Sequence, residues 1–201
     1  MLQSLETTFI REKRFTSDAS HELRTPIAVI RAYTESLSNS EGITDEQKAS
    51  LGTMLMECTR VQKIIEQLLT ITRGQESRYP LCIEEINLRE ICICVADTLA
   101  DRLNARHIDL HIDIPSDLTF HGDQTLLTEM LLNLVENAVK YGTEFGYINI
   151  RAKKSANKVH IEVGDNGIGI TEDALPHIFE RFYRVDAARD RSGTGLGLSI
   201  V

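Results

Sequence analysis

The chain has 201 residues, of which 42% are hydrophobic and 26% charged, the profile of a folded protein rather than a disordered tail. Its 22 basic and 30 acidic residues leave a formal net charge of -8, which argues against non-specific binding to nucleic acid or an anionic membrane. No apolar run is long enough to cross a bilayer, and the mixed stretch Met1–Phe15 does not read as a signal peptide.

The first segment, residues 1–73, is helical in its periodicity. Leu2, Leu5 and Phe9, then Ala19, Leu23, Ile27, Ile30 and Leu37, outline one long helix. Ser38–Thr44 is polar and holds a glycine, and Thr44 or Asp45 can cap a second helix. Leu51, Met54, Cys58, Val61, Ile65 and Leu68 then recur at alternating spacings of three and four. That is a heptad seam, so the two helices form a hairpin. One hairpin buries a single stripe per helix, and two copies would close a dimeric four-helix bundle.

Residues 74–81 are polar around Pro80 and read as a linker. The second segment, residues 82–201, changes period. A short strand is expected at Ile86–Leu88, a helix at Glu90–Asn104 and a strand at Ile108–Ile114. Another helix is expected at Gln124–Tyr141, opened by Asp123. Tyr147–Lys153 and Lys158–Asp165 alternate and predict a hairpin about Ser155–Asn157. A short helix is expected near Glu172–Ile178, and a last one begins near Gly195. This order predicts an α/β sandwich of the α+β class, with helices on one face of a mixed sheet. Cys58, Cys82, Cys92 and Cys94 form no Cys-x-x-Cys pair and are read as reduced, mostly buried thiols.

Five local patterns carry chemistry. In His21-Glu22-Leu23-Arg24-Thr25-Pro26, four-residue spacing puts His21 and Thr25 on one helical face. A neutral imidazole keeps a lone pair, and the adjacent carboxylate can fix its tautomer and take its proton. An isolated His-Glu pair is most often plain helix surface. Pro26 shifts the balance, because a proline inside a helix costs about 3 kcal/mol and calls for a reason.

The second pattern is Asn133-Leu-Val-Glu-Asn137-Ala-Val-Lys140-Tyr141. Glu129, Asn133, Glu136, Asn137 and Lys140 fall on one stripe, as on any amphipathic helix. Two asparagines at i, i+4 are unusual for mere solvation; carboxamide oxygens suit Mg²⁺ and a lysine suits phosphate. The third, Asp165-Asn-Gly167-Ile-Gly169, is either a turn or a loop that offers a carboxylate to the amino group of a base. The fourth, Gly193-Thr194-Gly195-Leu196-Gly197, enters a helix and either offers N–H groups to phosphates or serves as a hinge. The fifth is Phe179-Glu-Arg181-Phe182-Tyr-Arg184, with the polar stretch Asp186–Ser192 after it. It reads either as a packed helix end with a surface loop or as a mobile lid hinged on its aromatics.

Taken together and in this order, the five boxes make the chain resemble the catalytic core of a two-component sensor histidine kinase. The resemblance covers nearly the whole chain. It implies a dimerisation and histidine-phosphotransfer domain at 1–73, and an ATP-binding domain of the gyrase, heat-shock chaperone, histidine kinase and mismatch-repair type at 82–201. His21 aligns with the phosphoacceptor, Glu22 with the acid that assists it, and Thr25 with a residue that helps dephosphorylate the partner. Asn137 aligns with the Mg²⁺ ligand, and Asn133, Lys140 and Tyr141 with nucleotide-pocket residues. Asp165 aligns with the carboxylate that reads the adenine amino group, beside Gly167 and Gly169. Phe179 and Phe182 flank the lid, Arg184 aligns near phosphate, and Gly193, Thr194, Gly195, Leu196 and Gly197 line the phosphate side.

The resemblance also implies cofactors and partners. The cofactors are ATP and Mg²⁺, and the partners are a response regulator receiver domain and a second copy of the chain. The chain is expected to be the cytoplasmic portion of a membrane receptor, attached to the membrane only through segments it lacks. The family continues beyond the last glycine box, so the ATP domain is expected to be incomplete at its C-terminus. The contrasting reading is a non-catalytic dimeric module that binds a response regulator, or an inactive fragment. His107, His111, His121, His160 and His177 lack the motif context and are read as structural or surface residues.

Overall fold

A computed structural model describes residues 22–74, 80–156, 158–185 and 194–201. His21, Asn157, the Asp186–Ser192 stretch and Gly193 lie outside the described residues. The chain divides into two compact units, Met1–Tyr79 and Pro80–Val201.

The first unit is a helical hairpin. Helix α1 occupies residues 22–38 and contains Pro26; helix α2 is Asp45–Gly74. Its start is a reciprocal capping box. The Thr44 N–H donates to Gln47 Oε1 (2.8 Å), and the Gln47 N–H donates to Thr44 Oγ1 (3.2 Å), so two otherwise orphaned donors are satisfied. Arg31 ties the helices together: Nε donates to Glu35 on its own helix (2.8 Å) and Nη1 to Gln62 on α2 (3.2 Å).

The expected α2 seam is largely the covered one: Leu51, Cys58, Val61, Ile65 and Leu68 are buried or half-buried, and Met54 departs from it. Cys58, Ile65 and Leu69 are buried, with Leu55 and Gln62 half-buried between them, whereas Met54 is 55% exposed. At that one turn Leu55, not Met54, is half-buried. On α1, Leu23, Ile30, Tyr33 and Leu37 are exposed, and Thr34 is buried with its hydroxyl donating to the Ile30 carbonyl.

The second unit has two sheets rather than one. Strand β1 (Ile83–Asn87) pairs antiparallel with β3 (Thr119–Asp123), in register Ile83↔Asp123. Strands β2 (Asp109–Asp113), β4 (Tyr147–Ser155) and β5 (Lys158–Asp165) form a mixed sheet in the order β2-β4-β5. The β2–β4 pair is parallel and the β4–β5 pair antiparallel. Helix α3 (Leu88–Ala105) connects β1 to β2, and α4 (Gln124–Tyr141) connects β3 to β4. A 3₁₀ turn at Leu175–His177 stands where a short helix was expected, and α5 is Gly197–Ile200.

Alternation in β4 buries Ile148, Ile150 and Ala152 against Val95 and Leu99 of α3 and Leu131 and Val135 of α4. The opposite face of that sheet is charged: Arg151 lies between Asp113 (4.0 Å) and Glu162 (3.8 Å). Strand β3 is absent from the sequence expectation because Thr119–Asp123 is short and contains a glycine. The thiols also differ from expectation. Cys58 and Cys92 are buried, but Cys82 and Cys94 are exposed; all are free. The five histidines outside the motif are exposed. No helix among the described residues is long and apolar enough to cross a membrane.

Candidate functional site

Helix α4 organises the site. Asp123 caps its N-terminus, accepting from the Leu126 N–H at 3.1 Å. Its buried side is Leu131, Val135, Ala138 and Val139. The apolar packing aims Asn133, Glu136, Asn137 and Lys140 along a neighbouring stripe. The Glu136 carboxylate turns to α3 and accepts from Arg102 Nη1 at 2.9 Å.

Asn133 is only 7% exposed, and its Nδ2 donates to the Glu129 carbonyl at 2.8 Å. The Asn137 carboxamide is half-buried and makes no hydrogen bond among the described residues. A hard oxygen donor left uncommitted in this way fits a magnesium ion that keeps most of its water. The Lys140 ammonium lies 5.0 Å from the centroid of the Tyr141 ring.

Three glycines show how the sequence boxes meet. A Cβ on Gly167 would stand 2.7 Å from Asp165 Oδ1 and 2.9 Å from the Tyr141 carbonyl carbon. The Asp165 loop is thus seated on the end of α4, where the Ile168 N–H also donates to the Tyr141 carbonyl (3.1 Å). A Cβ on Gly197 would stand 3.0 Å from Asn133 Oδ1. Gly195, at φ +70°, passes so close to Phe182 that a Cβ would be 2.8 Å from its carbonyl carbon. The Phe182 N–H donates to the Gly195 carbonyl at 2.8 Å. Glycine is required at these positions because backbone or a buried carboxamide fills the space a side chain would take.

Within the Asp165 loop, Oδ1 of the exposed Asp165 accepts from the Gly167 N–H (2.8 Å), an Asx turn that fixes the carboxylate. Gly169 has φ +69° with open space around it. Leu196 is fully buried, and the Thr194 hydroxyl accepts from its N–H at 3.3 Å. Phe182 is 60% exposed and in the left-handed region at φ 63°. Arg184 lies in irregular chain just beyond it. In the hairpin, Glu22 and Thr25 are exposed on α1.

Two residues were missed from sequence. Asn166 Oδ1 accepts from the Tyr147 N–H at 2.8 Å, linking the Asp165 loop to the start of β4. Its place beside Asp165 was the available signal. Arg106 reaches the end of α4 from α3; its partners are main-chain carbonyls, which leave no trace in a sequence.

Residues 11–77 match the family described as His Kinase A (phospho-acceptor) domain. Residues 122–201 match the family described as Histidine kinase-, DNA gyrase B-, and HSP90-like ATPase. The signal transduction histidine-protein kinase ArlS of Staphylococcus haemolyticus is 33% identical over all of this chain and 45% of its own. The phosphate regulon sensor protein PhoR of Pseudomonas aeruginosa is 33% identical over 94% of this chain and 43% of its own. The chain thus spans less than half the length of these curated relatives. Among solved structures, full-length ShkA in complex with AMPPNP superposes with a TM-score of 0.80 at 27% identity, over 93% of this chain and 39% of that one. Histidine kinase ThkA in complex with the response regulator protein TrrA superposes at 0.59 and 25% identity, over 85% of this chain and 50% of that one. Matched in both its segments and in this order, the chain belongs to the two-component sensor histidine kinases and comprises their catalytic core.

Proposed function

We propose that the chain binds ATP between α4, the Asp165 loop and the Gly195–Gly197 turn, and transfers the γ-phosphoryl group to His21. The observation that carries this reading is the interlock of the boxes through Gly167, Gly195 and Gly197. Residues far apart in sequence are packed to a tolerance that mere surface turns do not need.

In this reading the Asp165 carboxylate, oriented by the Gly167 N–H, accepts from the exocyclic amino group of adenine. Lys140 and Arg184 carry positive charge toward the phosphates, and Thr194, Gly195, Leu196 and Gly197 line the same side. Asn133 holds the turn at Gly197, and Tyr141 floors the pocket beside Gly167 and Gly169. Phe182, held against Gly195, borders the same turn. Asn137 is the residue to hold Mg²⁺, which would neutralise charge on the phosphate oxygens. Phosphoryl transfer depends mainly on such positioning and neutralisation.

A ring nitrogen of His21 attacks the γ-phosphorus and ADP departs, while Glu22 takes up the proton lost from the imidazole. The product is a phosphoramidate, reactive enough to pass its phosphoryl group to an aspartate carboxylate of a receiver domain. Thr25, four residues after His21 in the sequence, helps water remove that group again. ThkA, crystallised with the response regulator TrrA, supports a receiver partner. The exposed Leu23, Ile30, Tyr33 and Leu37 of α1 support pairing with a second hairpin. A place on the cytoplasmic side of a membrane receptor is supported by the relatives named as sensors.

The test is incubation with Mg²⁺ and γ-labelled ATP beside His21→Gln, with nucleotide binding measured in parallel. Label that survives alkali, is lost in acid and vanishes in the variant is expected. Binding without label in the wild-type chain would overturn the kinase reading in favour of a non-catalytic module.

A further inference from the structure

The C-terminus of α4 is held by a group that no motif contains. Arg106, just past the end of α3, directs its guanidinium at the last turn of α4. Nη1 donates to the carbonyls of Val139 and Lys140, the latter at 2.8 Å, and Nη2 donates to the carbonyl of Gly142 at 2.7 Å. The Arg106 carbonyl in turn accepts from the Phe145 N–H at 3.1 Å. A helix C-terminus leaves its last carbonyls without intrahelical partners and carries partial negative charge. A planar cation with a fork of donors answers both needs, and a single ammonium cannot reach all three oxygens at once.

The next carbonyl in that turn is Tyr141, and it faces the other way. It accepts from the Ile168 N–H at 3.1 Å, against the face of Gly167. Gly167 donates to Asp165 Oδ1 at 2.8 Å. Arg106 therefore fixes the peptide units on either side of the one that seats the Asp165 loop. If the helix end frayed, the Tyr141 carbonyl would turn and the loop would lose its anchor.

We propose that Arg106 is a positioning residue for nucleotide-base recognition, acting through the α4 C-terminus and Tyr141 on the Asp165 loop. This rests on the reading of Asp165 as the adenine-contacting carboxylate. It assigns to the α3–β2 junction, outside every box, a share of the selectivity for adenine over guanine.

The experiment compares wild type, Arg106→Met, Arg106→Lys and Arg89→Met. Arg89 is the matched control: it also projects from α3 to a main-chain carbonyl, that of Ile114 at 2.9 Å, but at the opposite end of the helix. ATP and GTP are titrated calorimetrically with Mg²⁺. Hydrogen exchange of the Ile168 amide is followed without nucleotide. Arg106→Met is expected to weaken ATP binding about tenfold, the worth of a lost charge-assisted hydrogen bond. It should also narrow the ATP-to-GTP preference and speed Ile168 exchange, while Arg89→Met leaves all three unchanged. Arg106→Lys should fall between, and it carries the comparison if Arg106→Met does not fold. A purely structural role would lower the melting temperature without touching the preference ratio. A folded Arg106 variant with wild-type affinity, preference and Ile168 exchange would overturn the proposal. A wild-type chain that binds no ATP would instead overturn the adenine reading beneath it, and the proposal with it.

Discussion

Gly197 passes so close to Asn133 that a Cβ there would stand 3.0 Å from the carboxamide oxygen. Asn133 cannot readily withdraw, because it is 7% exposed and its Nδ2 is bound to the Glu129 carbonyl. The contact joins the first helical turn of α5 to the middle of α4, two segments that sequence alone cannot place together.

Glycine replacements should form a graded series. Gly197→Ala should cost about 1–2 kcal/mol, as overpacking does, since relieving the contact must shift the held Asn133 carboxamide by a few tenths of an ångström. Gly195→Ala should cost more, because it faces the Phe182 backbone at 2.8–3.0 Å and sits at φ +70°. Gly52, inside α2 with nothing within 4 Å of its Cβ position, should reverse the sign. Gly52→Ala is expected to stabilise by about 1 kcal/mol. Urea denaturation, followed separately for the hairpin and the ATP-site unit, measures the order. Equal costs at Gly195 and Gly52 would refute it.

The acid limb of stability should depend on Asp123. Its carboxyl is held below its ordinary value by the Leu126 N–H at the cap of α4, and next by the Cys82 N–H entering β1. A folded pKa that is lowered means the charged form stabilises the fold. The contribution is complete above the unfolded pKa and is lost as pH falls through the folded one. Asp123→Ala should cost about 1 kcal/mol at neutral pH, as loss of a helix cap does, and almost nothing once the native carboxyl is protonated. Denaturant midpoints from pH 7 down to pH 2 for both proteins should therefore converge. Curves that stay parallel would show that the cap does not titrate.

How much of this was readable beforehand varies by the kind of interaction. The span of α4, Gln124–Tyr141, and its Asp123 cap could be read from periodicity and a capping residue, both local. So could the β4–β5 hairpin. The covered stripe of α2 could be read as well, except at Met54, where only the partner helix chooses between it and Leu55. Strand β3, short and holding a glycine, was lost because its evidence is its pairing with β1, whose partners stand 32 to 40 residues earlier in the chain. The Arg106 clamp was invisible because its three acceptors are backbone oxygens. The box residues were legible as a set, whereas the glycine contacts that join them needed coordinates.

Thiol chemistry should separate the cysteines cleanly. Burial pushes the Cys92 thiol up to about 11, so almost none is thiolate at neutral pH, and reagent cannot reach it. Cys58 is buried as well, while Cys82 and Cys94 are exposed. Iodoacetamide on the native chain should modify Cys82 and Cys94 only, with Cys58 and Cys92 reacting after denaturation. Peptide mass spectrometry reads this directly. Early labelling of Cys92 would mean that the core between α3 and the sheet opens far more often than its packing allows.

His107 balances two effects of similar size. It adopts φ 52°, in the left-handed region, where a non-glycine residue bears about 1 kcal/mol or more of strain. Against this, its ring stacks on Phe145 with centroids 4.7 Å apart and planes 8° from parallel, an arrangement worth about 0.5–1.5 kcal/mol. Phe145, itself at φ 58°, is tied to the Arg106 carbonyl next door, so the stack joins the turn after α3 to the turn after α4. His107→Gly relieves the strain and loses the stack, and should change stability by less than about 0.5 kcal/mol. His107→Ala loses the stack and keeps the strain, and should fall about 1 kcal/mol below the glycine variant. Chemical denaturation of the two variants measures the difference. An alanine variant as stable as the glycine one would show that the turn relaxes out of the left-handed region once the ring is gone.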